Sequence, residues 1–587
     1  MRKYKQAAKD FLFLLKPYWK HGKLLVILEI LGAVIAAPVG ELAGVTVAQA
    51  VIDAVMAGET IAAVLKIVCV YFAVYALAYL AQNGVNSFYT SWKRDDIKAK
   101  IDRDIFAQAQ KTDFRWIDDP EYFNTFDLTL KEYANRSNSI ITVGSQMLTM
   151  LVTSAAMIGV IAQIGIIIAV ITAAGLIVSM MLMSKMTSDY MKTVPRQVSI
   201  NRKMDYTKRV YQQNSAAADM KSTGVADALI KKHAAAAKEL TGVMRAAHTR
   251  MGLFSLGNNW SAKITSYCVI LYIGWGLLTG RIESVGAYAT LIAAAAALSN
   301  SLSSLGMLWS SLFTTTQSAG IVRAFFDLES TIEPSTGCEA PDGALSVELR
   351  GARFGYPNSD FAVRDIDIKI APGEKIAIVG ENGAGKSTLM KLLLRLYDTD
   401  GGGILYNGKN IKDYDVHALR RRVGSAFQTP NVYALTLAEN LQTYNRADAE
   451  RLIAALREIG LSRLADKLDE EVTKEFDENG IMLSGGEAQK LALARLLTGD
   501  FGLLLLDEPS SALDPIAEHE MTKLLFSQSS RTTTIMVAHR LSTVRDADRI
   551  YLIDNGSVAE QGAHDELIAK NGKYAEMFRK QAENYVK

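Results

Sequence analysis

Between Ser137 and Ser184 the chain carries no Asp, Glu, Lys or Arg. A helix needs about 20 mostly apolar residues to cross the hydrocarbon core of a bilayer. The stretch is therefore roughly two spans long and must fold back, with Gln163-Ile164-Gly165 as the expected turn. It divides into Ile140–Ala162 and Gly165–Ser184. Comparable runs lie at Leu24–Ala50, Ala62–Ala81, Ile264–Thr279 and Val285–Leu312. Six spans return the chain to the side on which it started.

Lys and Arg in the connecting segments set the orientation. Met1–Lys23 holds seven of them; the segment after span two holds Lys93, Arg94, Lys98 and Lys100, and Lys185–Lys263 holds many more. Of the three opposite loops the first two have none and the third has only Arg281. Both termini are expected in the cytoplasm. The basic, amphipathic start precedes an apolar run too long for a signal peptide and reads as retained. The two basic inter-span segments keep helical patterning and are poor in Pro and Gly. They read as span helices continued into the cytosol, reversing near Trp116–Pro120 and Tyr206–Tyr211.

Within the spans, Glu29 and Lys66 read as near-interface groups, and Glu41 as the better candidate for a cavity-lining charge, because a charge at mid-bilayer costs about 2.5–3.5 kcal/mol on insertion scales. Tyr71, Tyr75 and Tyr79 recur at helical spacing, as either a packing stripe or a substrate wall. Cys69, Cys268 and Cys338 are far apart and indicate neither a disulfide framework nor a metal site. A net charge of +2 gives no argument for nucleic-acid binding.

A chain of 587 residues exceeds one core. After a linker with Pro334, Gly337, Pro341 and Gly343, short β-rich runs alternate with helices, as in an α/β domain. The strand Ile376–Val379 runs into Gly380-Glu381-Asn382-Gly383-Ala384-Gly385-Lys386-Ser387-Thr388 and then a helix over Leu389–Leu396. This is GxxxxGK[ST] in its strand–loop–helix setting. Such a loop wraps phosphates with backbone N–H groups and a helix N-terminus. Lys386 is expected to bridge the β- and γ-phosphates, and Ser387 to bind Mg²⁺. A second strand, Leu503–Leu506, delivers Asp507 and Glu508 at its tip, the first for the metal and the second for the attacking water.

Leu483-Ser484-Gly485-Gly486-Glu487-Ala488-Gln489 resembles the signature motif of ABC transporters, with Glu487 where glutamine is common. The other motifs match in order: Tyr356 resembles the aromatic that stacks on adenine, and Gln428, after the strand Val423–Phe427, the Q-loop glutamine. Ser511-Ala512-Leu513-Asp514 resembles the D-loop, and His539 the switch histidine. The resemblance implies an ATP site of Tyr356, Gly380, Asn382, Gly383, Gly385, Lys386, Ser387 and Thr388. Ser387, Gln428 and Asp507 would surround Mg²⁺, with Glu508, His539, Gln428 and Lys386 catalytic. Ser484, Gly485, Gly486 and Glu487 would act on the nucleotide held by a second subunit, and Asp514 would be the D-loop aspartate.

The whole chain is similar to an exporter-type (type IV) half-transporter. That implies an all-α six-helix transmembrane domain (1–326), a linker (327–345) and an α/β P-loop ATPase cassette (346–587). The two reversals would be coupling helices. The resemblance further implies a multi-pass protein of a bacterial inner membrane, with the cassette cytoplasmic, exporting a small amphipathic molecule, lipid or peptide. No peptidase-like domain precedes span one, so a leader-cleaving peptide exporter is not expected. The conserved-type residues are complete, which favours a homodimer over a heterodimer. Direction is not legible, and an uptake transporter on the same scaffold is the alternative.

Overall fold

The computed structural model describes residues 2–162, 166–280, 285–332, 337–356, 361–509, 515–527, 532–538, 540–541 and 543–583. The expected turn at Gln163-Ile164-Gly165, Arg281, Pro334, the Ser511–Asp514 segment and His539 lie outside them. The chain forms two compact units: Met1–Ala109 with Phe123–Asp327, and Gln110–Tyr122 with Leu328–Lys587.

In the first unit α1 (Arg2–His21) precedes two helices, α2 (Lys23–Met56) and α3 (Ile61–Lys111), each long and apolar enough to span a bilayer. Both contain a π-helical segment, Gly32–Ala36 in α2 and Val85–Thr90 in α3. Four more such helices complete the expected six: α5 (Pro120–Ala162), α6 (Ile166–Met191), α9 (Val225–Leu278) and α10 (Val285–Phe326). At 1.5 Å per residue the 54-residue α9 is about 80 Å long, far more than the ~30 Å hydrocarbon core. The helices therefore run well past any bilayer, as the patterning of the basic segments predicts.

The core of this unit is built from Val269 and Ile273 of α9, Leu291, Ala294, Ala295 and Leu298 of α10, and Met157 and Ile161 of α5. The alanines let α10 approach closely. Outward residues such as Leu65, Phe72, Leu77 and Leu271 are exposed and apolar, as a lipid-facing surface requires.

The reversals differ from expectation in one place. The first is a short helix α4 (Phe114–Ile117) just before Pro120, as the Trp116–Pro120 sequence suggests. The second is not at Tyr206–Tyr211, which lies inside α7 (Val194–Gln212). The chain turns instead around α8 (Asn214–Ser222), where Gln213 and Thr223 take extended backbone angles and Gly224 follows. The stretch from Tyr206 to Tyr211 carries no helix breaker, whereas Thr-Gly is a stop signal.

The second unit contains two sheets. One is antiparallel, β2-β1-β4-β5: β1 (Val347–Gly355), β2 (Phe361–Ile370), β4 (Gly401–Tyr406) and β5 (Lys409–Asn410). The other has the order β10-β9-β3-β8-β7-β6: β3 (Lys375–Val379), β6 (Val423–Ala426), β7 (Leu503–Asp507), β8 (Thr533–Val537), β9 (Arg549–Asp554) and β10 (Ser557–Gly562). Strands β9, β3, β8, β7 and β6 are parallel. Parallel strands are buried on both faces, and here Ile376, Ile378, Leu503 and Leu505 enter one core while Ala377, Val379, Leu504 and Leu506 enter the other. That explains unbroken apolar runs such as Leu503–Leu506, whose alternate side chains serve opposite layers.

Candidate functional site

In an open parallel sheet the loops leaving the carboxyl ends of neighbouring strands converge on one crevice. The order β3-β8-β7-β6 brings there the phosphate-loop sequence after β3, Asp507 and Glu508 after β7, and Gln428 after β6. The helix α11 (Lys386–Leu393) begins inside the motif itself, three residues before the sequence suggests. It stops at Leu393 rather than Leu396, because Arg395 adopts φ +49°. Gly385 caps α11 with φ +102°, and a Cβ there would stand 2.3 Å from the Ala362 carbonyl oxygen. Only glycine fits both demands. Asn382, Gly383 and Ser387 are exposed along the rim, whereas Thr388 is buried and its hydroxyl lies 3.2 Å from the Tyr356 hydroxyl.

Lys386 is buried, and its Nζ donates to the carbonyl oxygens of Gly380 (2.8 Å) and Glu381 (3.0 Å). Burial pushes this ammonium below its usual pKa range, and the carboxylates of Glu508 and Asp507 pull part of that back. The cation and the two carboxylates thus share one field. Gln428 Nε2 donates to Glu508 Oε2 at 2.9 Å, joining two residues eighty positions apart. Glu508 holds φ +51°, which costs a non-glycine residue about 1–2 kcal/mol. Strain of this sort, maintained by the ladder bond from Glu508 N to Val537 O, is common where a side chain has to be aimed. Sequence reasoning had no means of finding either the contact or the strain.

The fit to Mg²⁺ rests on the donor set. The Ser387 hydroxyl, the Gln428 amide oxygen and the Asp507 carboxylate are hard oxygen donors of the type Mg²⁺ takes. Among the described residues no group of three His, Cys, Asp or Glu is arranged to hold a metal by itself, so phosphate oxygens would have to complete the shell.

The Ser484-Gly485-Gly486 turn opens α15 (Gly485–Leu497; α12 is Val416–Arg421, α13 Leu437–Leu441 and α14 Ala449–Glu458). Ser484 and Glu487 form a reciprocal capping box: Ser484 N donates to Glu487 Oε2 at 2.9 Å, and Glu487 N to Ser484 Oγ at 3.3 Å. Glu487 also accepts from Arg463 Nε at 2.8 Å. The Ser484 backbone N–H and the Arg463 guanidinium hold its carboxyl below the usual range. The departure from glutamine therefore keeps the turn and adds an ion pair, leaving Ser484 and Gly485 exposed.

Segment 110–122 packs onto the cassette. The buried Asp113 carboxylate accepts from Thr331 N (2.7 Å), Thr331 Oγ1 (3.0 Å) and Ile332 N (3.1 Å). Asp118 accepts from the Tyr397 hydroxyl (2.6 Å) and Lys391 Nζ (3.0 Å), and Phe114 meets Tyr397 edge-on at 5.7 Å between ring centroids. Burial alone would raise the Asp118 carboxyl; the Tyr397 hydroxyl and the Lys391 ammonium outweigh it and hold the group low. Lys391 lies on α11 and also covers the Tyr356 ring at 5.6 Å, so α4 is tied to the helix that begins at the phosphate loop. Asp113→Ala should strip the acceptor from the Thr331 and Ile332 N–H groups, the second of them in a buried residue, at about 1–3 kcal/mol. Amide hydrogen exchange at Thr331 and Ile332 is then expected to quicken by about 5- to 150-fold; unchanged protection would show that Asp113 does not anchor the segment.

Residues 363–511 match the family described as ABC transporter. Over 94% of this chain and 98% of the other, the fold superposes on a bacterial Atm1-family ABC exporter with ATP bound, with a TM-score of 0.79 at 24% identity. The second unit thus contains a domain that matches this family over residues 363–511, and the chain as a whole shares its fold with that exporter structure. Its relatives include the ATP-dependent lipid A-core flippases of Salmonella paratyphi A, 36% identical over 262 residues (44% of this chain, 45% of the relative), and of Alkalilimnicola ehrlichii, 39% identical over 258 residues (43% and 44%). The chain spans about 45% of the length of these curated relatives.

Proposed function

We propose that this chain is one half of an ATP-driven exporter of an amphipathic lipid, working as a homodimer in a bacterial inner membrane with both termini and the cassette in the cytoplasm. The observation that carries the reading is the Lys386–Asp507–Glu508–Gln428 cluster at the carboxyl ends of β3, β7 and β6. It assembles a phosphate cradle beside an aimed carboxylate in a chain with six membrane-type helices. Lys386 and the loop from Gly380 to Thr388 hold the ATP phosphates, and Tyr356 offers its ring to adenine. Glu508 polarises the attacking water, Gln428 orients Glu508, and His539 contacts the γ-phosphate. Ser387, Asp507 and Gln428 hold Mg²⁺, which neutralises charge on the phosphates.

Ser484, Gly485 and Gly486 with Glu487, and Asp514, serve the nucleotide of the second subunit. The exposed Ser-Gly-Gly turn is a ready anion site in a cassette that already has its own phosphate loop, so a partner's γ-phosphate is its natural ligand. Residues 1–326 carry the transport path, 327–345 connect it, and 346–587 supply the energy. The lipid A-core flippases among the relatives favour a lipid over the small-molecule and peptide alternatives.

Purified alone into nanodiscs, the chain should run as a dimer and hydrolyse ATP with Mg²⁺, and in inside-out vesicles it should move a fluorescent lipid between leaflets only with ATP. A preparation that is inactive until a second, different half-transporter is added would overturn the homodimer. Lipid movement in the opposite direction would overturn export.

A further inference from the structure

The first unit contains a polar cavity of about 240 Å³ walled by α2, α3 and α5. On its wall Arg94 Nη2 donates to Glu29 Oε1 at 3.1 Å and to Thr142 Oγ1 at 3.4 Å, while Arg94 Nε is buried without a hydrogen-bond partner. Gln82, Ser145 and Gln146 contribute amides and a hydroxyl to the wall. Glu41, which the sequence favoured as a cavity-lining charge, is exposed on α2 and does not contribute to this wall. The paired Glu29, read from sequence as a near-interface group, lines it instead.

The position of the cavity along the helices is informative. Glu29 is about 8 Å beyond Leu24 on the way into the first span. Gln82 is about 32 Å along α3 from Ile61, one bilayer core later, and Thr142 to Gln146 open the third span. All three walls thus meet at the end of the spans that carries α1, at head-group depth. Both π-helical segments border the site, since Gly32, Ala33 and Thr90 line it, and such distortions of a helix frequently mark functional positions. Next to these residues along the chain stand exposed apolar side chains, Leu31 and Ile35 on α2, Leu80 on α3 and Leu151 on α5.

We infer that this cavity binds the head group of a phospholipid that carries a phosphate and a primary ammonium, with its acyl chains on the apolar faces beside it. The inference rests on the membrane reading above, on the side of the cell to which α1 belongs, and extends it to a lipid site. The wall is formally neutral, one guanidinium against one carboxylate, so a net charge brought into it would lack a counter-charge on the wall. A zwitterion meets no such penalty: its phosphate oxygens accept from the under-satisfied Arg94, and its ammonium donates to Glu29. A primary ammonium has three N–H donors, whereas a quaternary one has none, so phosphoethanolamine is favoured over phosphocholine. The volume is below the roughly 300–1,000 Å³ of pockets that enclose drug-sized molecules, and it suits a head group alone.

The test is native mass spectrometry of the 587-residue chain in detergent, without nucleotide, titrated with phosphatidylethanolamine, phosphatidylcholine and phosphatidylglycerol of matched chains. The ethanolamine lipid should bind at least about fivefold tighter than either, a gap of about 1 kcal/mol. Arg94→Gln should abolish the preference. Ser145→Leu, which fills the cavity and leaves the ion pair in place, should do the same without lowering the melting temperature. Equal binding of the three lipids, tightest binding of phosphatidylglycerol, or full preference in Ser145→Leu would overturn the site. Displacement by water-soluble glycerophosphoethanolamine at comparable concentration would overturn a lipid in favour of a free zwitterion. Because no ATP is present, failure of the exporter reading in the vesicle assay leaves this result standing, and the reverse also holds.

Discussion

Glu508→Gln is expected to lower ATP turnover by about 10²–10⁴-fold, the range that a positioned general base supplies, while Mg-ATP binding stays within about threefold. The substitution keeps the shape of the side chain and its contact with Gln428, which lies at 2.9 Å in the wild-type protein. It leaves Lys386, Ser387 and Asp507 untouched. What disappears is the carboxylate proposed to polarise water, an interaction worth most in the transition state. The variant should therefore accumulate with its cassettes closed on ATP, visible as unhydrolysed nucleotide that stays with the protein through gel filtration. Turnover within a factor of three of wild type would remove Glu508 from the mechanism.

Lys386→Ala should fail earlier in the cycle. The ammonium sits 2.8–3.0 Å from two loop carbonyls and is already destabilised by burial, so phosphate oxygens are better partners for it than those it has. A hydrogen bond to a charged group contributes about 1.5–3 kcal/mol, and ATP affinity by calorimetry should fall by about 10- to 150-fold. ADP affinity should fall less, because the γ-phosphate contact is missing. Comparable loss for both nucleotides would place Lys386 away from the γ-phosphate. The contrast between the two variants, binding lost in one and kept in the other, separates a nucleotide-holding residue from one that acts on water.

Local sequence was enough to determine whatever rests on a continuous stretch of chain. Hydropathy over 20-residue windows measures the cost of placing that stretch in hydrocarbon, so six spans could be read directly. The phosphate-loop and signature turns are backbone shapes set by glycines and caps a few residues apart, and they too were legible, although the Ser484–Glu487 capping pair emerged only in the structure.

Tertiary structure decided what depends on contacts between distant residues. Sheet order brings Gln428 against Glu508, and no spacing rule predicts that pair. The second reversal fell at α8 because helix ends are fixed by small differences between competing turn signals, which packing resolves. Nothing local to Asp113 or Asp118 names their partners, Thr331 and Ile332 for the first and Lys391 and Tyr397 for the second, all more than two hundred positions away. Glu29 looked like a span-end charge until α3 supplied Arg94 sixty-five positions later. A buried charge is tolerated only where its partner is, and which partner that is depends on how the helices pack rather than on the order of residues.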